Sequence, residues 1–117
     1  PKHKKSMLQI TIDKEIAIAS FKNVSRFNYI ISQEVKDQLN TIMKKNGAKL
    51  ILNMQGLEFI DSSAIGTLIS VLKTSKENRG TFYLCNLSPE VNDLLEVMQL
   101  QTVFDIYSTL DEAISKI

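Results

Sequence analysis

The sequence predicts an α/β domain built on a mixed sheet, and three patterns carry that prediction. Two stretches of strand periodicity open the chain, at residues 8–13 and 16–21, with a polar turn between them. Apolar stripes at helical spacing then alternate with short apolar runs of strand length. Single helices between strands favour parallel pairing, because each crossover returns the chain to the same end of the sheet. An N-terminal antiparallel hairpin, parallel strands beyond it and about four packed helices are therefore expected.

Each element has its own signal. Leu8, Ile10 and Ile12 alternate with Gln9, Thr11 and Asp13, which makes a strand with one apolar face. Asp13-Lys14-Glu15 is a tight turn into the second strand, residues 16–21. Residues 23–28 are polar and read as irregular. Ile31, Val35, Leu39 and Ile42 then follow helical spacing, and Gly47 is placed to end that helix. Residues 49–54 form a short apolar strand of the kind buried at a sheet centre. Ile65, Leu68, Ile69 and Leu72 make the stripe of a second helix that starts near residues 61–63. Gly80 closes the following connection, and residues 81–85 are the next strand.

Ser88-Pro89-Glu90 opens a third helix with a hydroxyl cap, a first-turn proline and a carboxylate at the positive end of the dipole. Its inward stripe is Val91, Leu94, Leu95 and Met98. Residues 103–107 are a last strand. Thr109 and Glu112 form a capping box for a terminal helix that turns Ala113, Ile114 and Ile117 inward. In such sheets the loops after the strand carboxyl ends gather at one edge and tend to bear function. Here those loops are residues 23–28, 56–62 and 86–88.

Composition narrows the function classes. At 117 residues the chain has the length of one domain. One cysteine cannot form an internal disulfide, which suits a reducing compartment and a cytoplasmic location. No apolar run reaches bilayer-crossing length and no signal-peptide pattern opens the chain, so no membrane partner is expected. The net charge of +1 hides an asymmetry: Lys2, Lys4 and Lys5 cluster in residues 1–6. Without them, 11 basic residues face 13 acidic ones, a net of −2. Residues 1–6 are expected to be a basic, disordered tail ahead of a domain spanning 7–117. A slightly acidic body argues against direct nucleic-acid binding.

Catalytic signatures are absent from the sequence. It has no nucleophile elbow, no phosphate loop and no dinucleotide fingerprint. The single histidine, His3, sits in the basic tail, where packing cannot hold it for a triad. No grouping of Cys and His has metal-ligand spacing. Cys85 lies in a strand beside Leu84 and reads as a small core residue. Asp61 follows a strand, as the phospho-acceptor of a response-regulator receiver does. That site also needs an acidic pair after the first strand and a lysine after the last. Only Asp13 is near the first place, and Ile106-Tyr107-Ser108 lacks the lysine. The chain is not expected to be an enzyme.

Asp61-Ser62-Ser63 remains, with two readings. It is a helix cap, in which a side-chain oxygen accepts from a free first-turn N–H. The other reading is a phosphorylation site, since a helix start can hold the charge of about −1.5 to −2 that a phosphate on Ser62 would add. Leu57, Phe59 and Ile60 precede the motif, and Phe27-Asn28-Tyr29 belongs to another loop of the same edge. An outward Phe59 or Ile60 would be an apolar anchor beside the switch.

These residues carry a family likeness. Residues 50–54, Leu-Ile-Leu-Asn-Met, and 59–66, Phe-Ile-Asp-Ser-Ser-Ala-Ile-Gly, resemble the core motif of STAS domains, the bacterial anti-sigma factor antagonists. The likeness continues through Gly80, strand 82–85 with Asn86, residues 91–100 and Phe104-Asp105-Ile106 to Glu112-Ala113. It implies a single STAS-like domain that binds an anti-sigma factor, often a serine kinase, and so frees a sigma factor. It also implies that the kinase phosphorylates the serine after the motif aspartate, here Ser62, and that a serine phosphatase reverses this. ATP and magnesium come with the kinase, so no cofactor of the chain's own is implied. Partner contacts are expected at Asn28, Phe59, Ile60, Asp61, Ser62 and Ser63. The motif departs from many relatives at Ala64, where they have Gly, and at Asn53, where they have Asp. The loop Ser25-Arg26-Phe27-Asn28 stands where theirs reads Gly-x-x-Asp. Two other roles fit the same fold: a regulatory STAS domain of another signalling assembly, and a small-molecule module for a nucleotide or lipid.

Overall fold

Strands β1 (Leu8–Asp13) and β2 (Ile16–Phe21) pair antiparallel around a two-residue turn. Lys14 and Glu15 both adopt positive φ there, 51° and 71°, and such a turn matches the twist of the flanking strands. The computed structural model describes residues 7–117, so the basic run at Lys2, Lys4 and Lys5 lies outside the described residues.

Beyond the hairpin the chain runs β3 (Arg26–Phe27), α1 (Tyr29–Met43), β4 (Lys49–Asn53), β5 (Phe59–Ile60) and α2 (Ser62–Glu77). It continues with β6 (Thr81–Cys85), α3 (Pro89–Val97), β7 (Asp105–Tyr107) and α4 (Leu110–Lys116). Five strands form one sheet in the order β1-β2-β4-β6-β7, antiparallel only at β1–β2. The mixed sheet, the hairpin and the four helices are those the sequence predicts.

Strand β4 is the centre. Leu50, Ile51 and Leu52 are all fully buried, because helices cover both faces. Leu50 and Leu52 belong to the main core with α1, α2 and α3, through residues such as Leu39, Leu68 and Leu95. Ile51 faces the other way, where Ala113 of α4 packs against it and Cys85. Burial pushes the Cys85 thiol up to about 11, so it stays protonated as a core group.

Local signals are obeyed at the helix ends. Ser88 Oγ accepts from the Val91 N–H at 3.1 Å, and Thr109 Oγ1 accepts from the Glu112 N–H at 3.1 Å. Glu112 Oε1 accepts in return from the N–H of Ser108, one residue before the cap. Gly47, at φ 74°, follows the end of α1, and its N–H donates to Asn78 O at 2.8 Å.

Four expectations are corrected. Residues 26–27 and 59–60, read as loop, pair parallel as a separate two-stranded sheet, β3 with β5. Two-residue strands are too short to show a period. Ile69 and Met98 are 42% and 45% exposed, not inward. The buried face of α2 is rotated toward α1 and includes Thr67 and Ser75, which hydropathy overlooks. Thr67 earns its place by donating through Oγ1 to Ser32 O of α1 at 3.2 Å. The last strand begins at Asp105, with Val103 exposed and Phe104 buried ahead of it. Ile10 and Ile12, on the apolar face of β1, are exposed because β1 is an edge strand that no helix covers completely.

Candidate functional site

The three loops expected to converge do so through backbone pairing. Glu58 N–H donates to Ser25 O at 2.8 Å and Asp61 N–H to Phe27 O at 3.3 Å, which joins the first two. Met54 N–H donates to Cys85 O at 2.9 Å, and Asn86 Nδ2 to Asn53 Oδ1 at 3.0 Å, which ties in the third. Asn53 Oδ1 also accepts from the Gln55 N–H at 3.1 Å, so this amide serves as a loop brace.

Strands β3 and β5 run parallel, and each feeds a helix one residue later. The N-termini of α1 and α2 therefore emerge side by side. Asn28 caps α1, its Oδ1 accepting from the Ile30 N–H at 3.1 Å. Asp61 caps α2, its Oδ1 accepting from the Ala64 N–H at 3.0 Å. The other carboxylate oxygen of Asp61 accepts from the N–H of Tyr29, the first residue of α1, at 2.9 Å. One carboxylate thus serves two helix starts, where the dipoles favour its charge.

This geometry assigns the capping role. The cap is Asp61, and the Ser62 side chain is exposed at the first position of α2. Among the described residues no hydrogen bond holds the Ser62 hydroxyl, and Ser63 beside it is half-buried. The first-turn N–H groups of Ser62 and Ser63 are left open by the Asp61 side chain, which takes Ala64. An oxyanion on Ser62 would meet these donors.

Exposed apolar side chains lie on the segments that lead into the two helix starts. Phe59 is 44% exposed and carries the Arg26 guanidinium 5.0 Å above its ring. Ile60 points the other way, 2% exposed, because neighbours on a strand alternate faces. The expectation of an Ile60 anchor is corrected: its side chain is core, and Phe59 holds the outward position. A shallow cleft of about 210 Å³ beside Phe59 is lined by Ile60, Val91 and Leu94 and edged by Glu58 and Glu90. Tyr29 and Ile30, each 71% exposed in the first turn of α1, complete the surface. Ile30 carries a signal in the sequence that hydropathy alone overlooks: an apolar residue just after a cap and off the 31/35/39 stripe faces outward.

Asp61→Ala is expected to lower stability by about 2 kcal/mol, since it removes a cap and a second charged acceptor. Ser62→Ala is expected to change it by no more than about 0.5 kcal/mol. Urea unfolding of both variants checks the pair. A larger loss at Ser62 would return the capping role to the serine.

Among the described residues no cluster of three His, Cys, Asp or Glu could hold a metal ion, and no helix is long and apolar enough to cross a membrane. The STAS domain family model matches residues 2–113. An anti-sigma F factor antagonist of Paenibacillus polymyxa is 22% identical over 111 residues, 94% of this chain and 95% of that one. A STAS-domain anti-sigma-factor antagonist structure from Planctomyces limnophilus superimposes with a TM-score of 0.83 at 28% identity, over 91% of this chain and 93% of that one. SpoIIAA shares the fold in its unphosphorylated form, at a TM-score of 0.69 and 19% identity, covering 93% of this chain and 96% of that one. The phosphorylated form, described as a Bacillus cell fate determinant, gives 0.67 and 18%, covering 93% and 97%. By the span of the family match and by the sheet, hairpin and helix order it shares with these structures, the chain belongs to the STAS domain family.

Proposed function

We propose that this domain is a phosphorylation-switched anti-sigma factor antagonist, which binds an anti-sigma factor with serine-kinase activity and so releases a sigma factor. One observation carries the reading: the structural work at the start of α2 is done by Asp61, and the exposed Ser62 hydroxyl is left without a structural partner. Phe59, Tyr29 and Ile30 supply an apolar surface on which a partner can close around that hydroxyl. Relatives named as anti-sigma factor antagonists, and the two forms of SpoIIAA, support the assignment. In this cycle the kinase transfers a phosphoryl group from ATP to Ser62, and a serine phosphatase hydrolyses the ester. The domain acts by binding and supplies no catalytic group. It works in the cytoplasm, where its partners are.

The departures from the family motif are compatible with this role. Ala64 is fully buried at the third position of α2, where it gives its N–H to Asp61. Asn28 caps α1 through its amide oxygen, as an aspartate could.

Incubation with the cognate kinase and ATP is expected to add one phosphate, on Ser62. Peptide mapping by mass spectrometry checks it. Phosphate on Ser63 would overturn the site, and unmodified protein would overturn the switch.

A further inference from the structure

We propose that this chain self-associates head to tail, the exposed face of α3 in one copy docking on the exposed face of α2 in the next. Ile69, Lys73 and Lys76 recur at helical spacing on α2, and all three are exposed. Ile69 and Leu72 wall a shallow groove of about 380 Å³, whose rim holds Lys73, Lys76 and Glu77. Glu77 is turned about 100° from Lys76, off the stripe. Arg79 follows the helix, so residues 73–79 set Lys73, Lys76 and Arg79 against Glu77 alone, a net of +2.

Helix α3 carries the opposite charge. Glu90, Asp93 and Val97 share one face at helical spacing, and all three are exposed. No lysine, arginine or histidine occurs between Arg79 and Lys116, so no base on that stretch offsets Glu90, Asp93 and Glu96. Val97 is 80% exposed, the most of any large apolar side chain among the described residues, and Met98 next to it is 45% exposed.

The order of residues sets the direction of docking. Along α2 the apolar residue comes first and the lysines follow, whereas along α3 the acids come first and Val97 last. Ile69 and Lys76 are seven residues apart, and so are Glu90 and Val97, which is about two turns in each helix. Laid antiparallel, α3 puts Val97 at the Ile69–Leu72 groove and Glu90 opposite Lys76. A parallel arrangement would set Glu90 on Ile69 and leave Val97 among the lysines. These features argue for a second copy as the occupant, because the groove with its lysines and the apolar knob with its acids are both on this chain. The two faces differ, so each copy can take one neighbour at α2 and another at α3, and the contact repeats. Each face is a short stretch of one helix, which makes the association weak. The proposal does not rest on phosphorylation of Ser62.

Light scattering across protein concentrations of about 10 µM to about 1 mM is expected to show a mass that rises past twice the monomer's at low salt and falls as salt is added. Lys76→Glu should weaken association by about tenfold or more while circular dichroism shows the wild-type fold. The chain that carries both Lys76→Glu and Glu90→Lys should recover it. Val97→Gln, at a largely exposed position, should keep the wild-type melting curve and also weaken association. A monomer mass at every concentration, or a plateau at twice the monomer mass, overturns the head-to-tail arrangement. Association that Lys76→Glu or Val97→Gln leaves intact, or that the double reversal fails to recover, overturns the pairing of α2 with α3.

Discussion

A phosphate on Ser62 is expected to weaken partner binding by at least about 3 kcal/mol, on the order of a hundredfold in Kd, while the domain stays folded. The two halves of that result have different physical origins. Within the domain the phosphate sits at the start of α2, where the N–H groups of Ser62 and Ser63 are open and the dipole is favourable. Asp61 is a like charge next door, but its two oxygens already accept from Ala64 and Tyr29, which holds the carboxylate in place. A closed interface is less forgiving. Tyr29, Ile30 and Phe59 are exposed apolar side chains at and just ahead of the two helix starts, so a partner that closes over this end presents apolar groups and must desolvate a near-dianion. Titration calorimetry on the unmodified and phosphorylated proteins measures the difference, with circular dichroism to check folding. Equal affinities would rule the switch out. Tighter binding of the phosphorylated form would reverse its sign and point to an arginine cluster on the partner.

The second large effect separates the support of the site from its surface. Phe27→Ala is expected to cost about 3–5 kcal/mol of stability, because Phe27 is fully buried and stacks 5.2 Å from the Phe21 ring at a 44° tilt. Its loss opens a cavity under β3, the strand that aims α1 at Asp61. Phe59→Ala, on the partner strand, should cost less than about 1 kcal/mol of stability and should act on partner affinity instead. Denaturant unfolding beside a binding titration tests both. A large stability loss at Phe59 with unchanged affinity would remove it from the docking surface. A mild effect at Phe27 would mean that the β3–β5 sheet does not support the site.

How much of this was legible beforehand depends on the range of the interaction. Caps were readable because they act over three residues: Ser88 reaches Val91 and Thr109 reaches Glu112. The hairpin was readable because alternation and a two-residue turn lie next to each other in the chain. The motif at residues 59–66 marked the family and the candidate serine, but it left open whether Asp61 or Ser62 held the cap. The folded geometry assigns it: Asp61 Oδ1 accepts from the Ala64 N–H, while the Tyr29 N–H, 32 residues away, holds the other oxygen.

By itself, then, the sequence determined the order of the five main-sheet strands and the four helices, the helix starts and the central place of β4, all of which rest on periodicity and short-range chemistry. Only the tertiary structure decided which faces are covered. It turned Ile60 into the core and Phe59 out, rotated α2 so that Thr67 and Ser75 are buried and Ile69 is not, and left Ile10 and Ile12 bare on an edge. Hydropathy reports what a side chain prefers, whereas burial depends on which neighbour arrives. Residues 26–27 and 59–60 become strands because they meet each other, and neither pair has a local reason to be one.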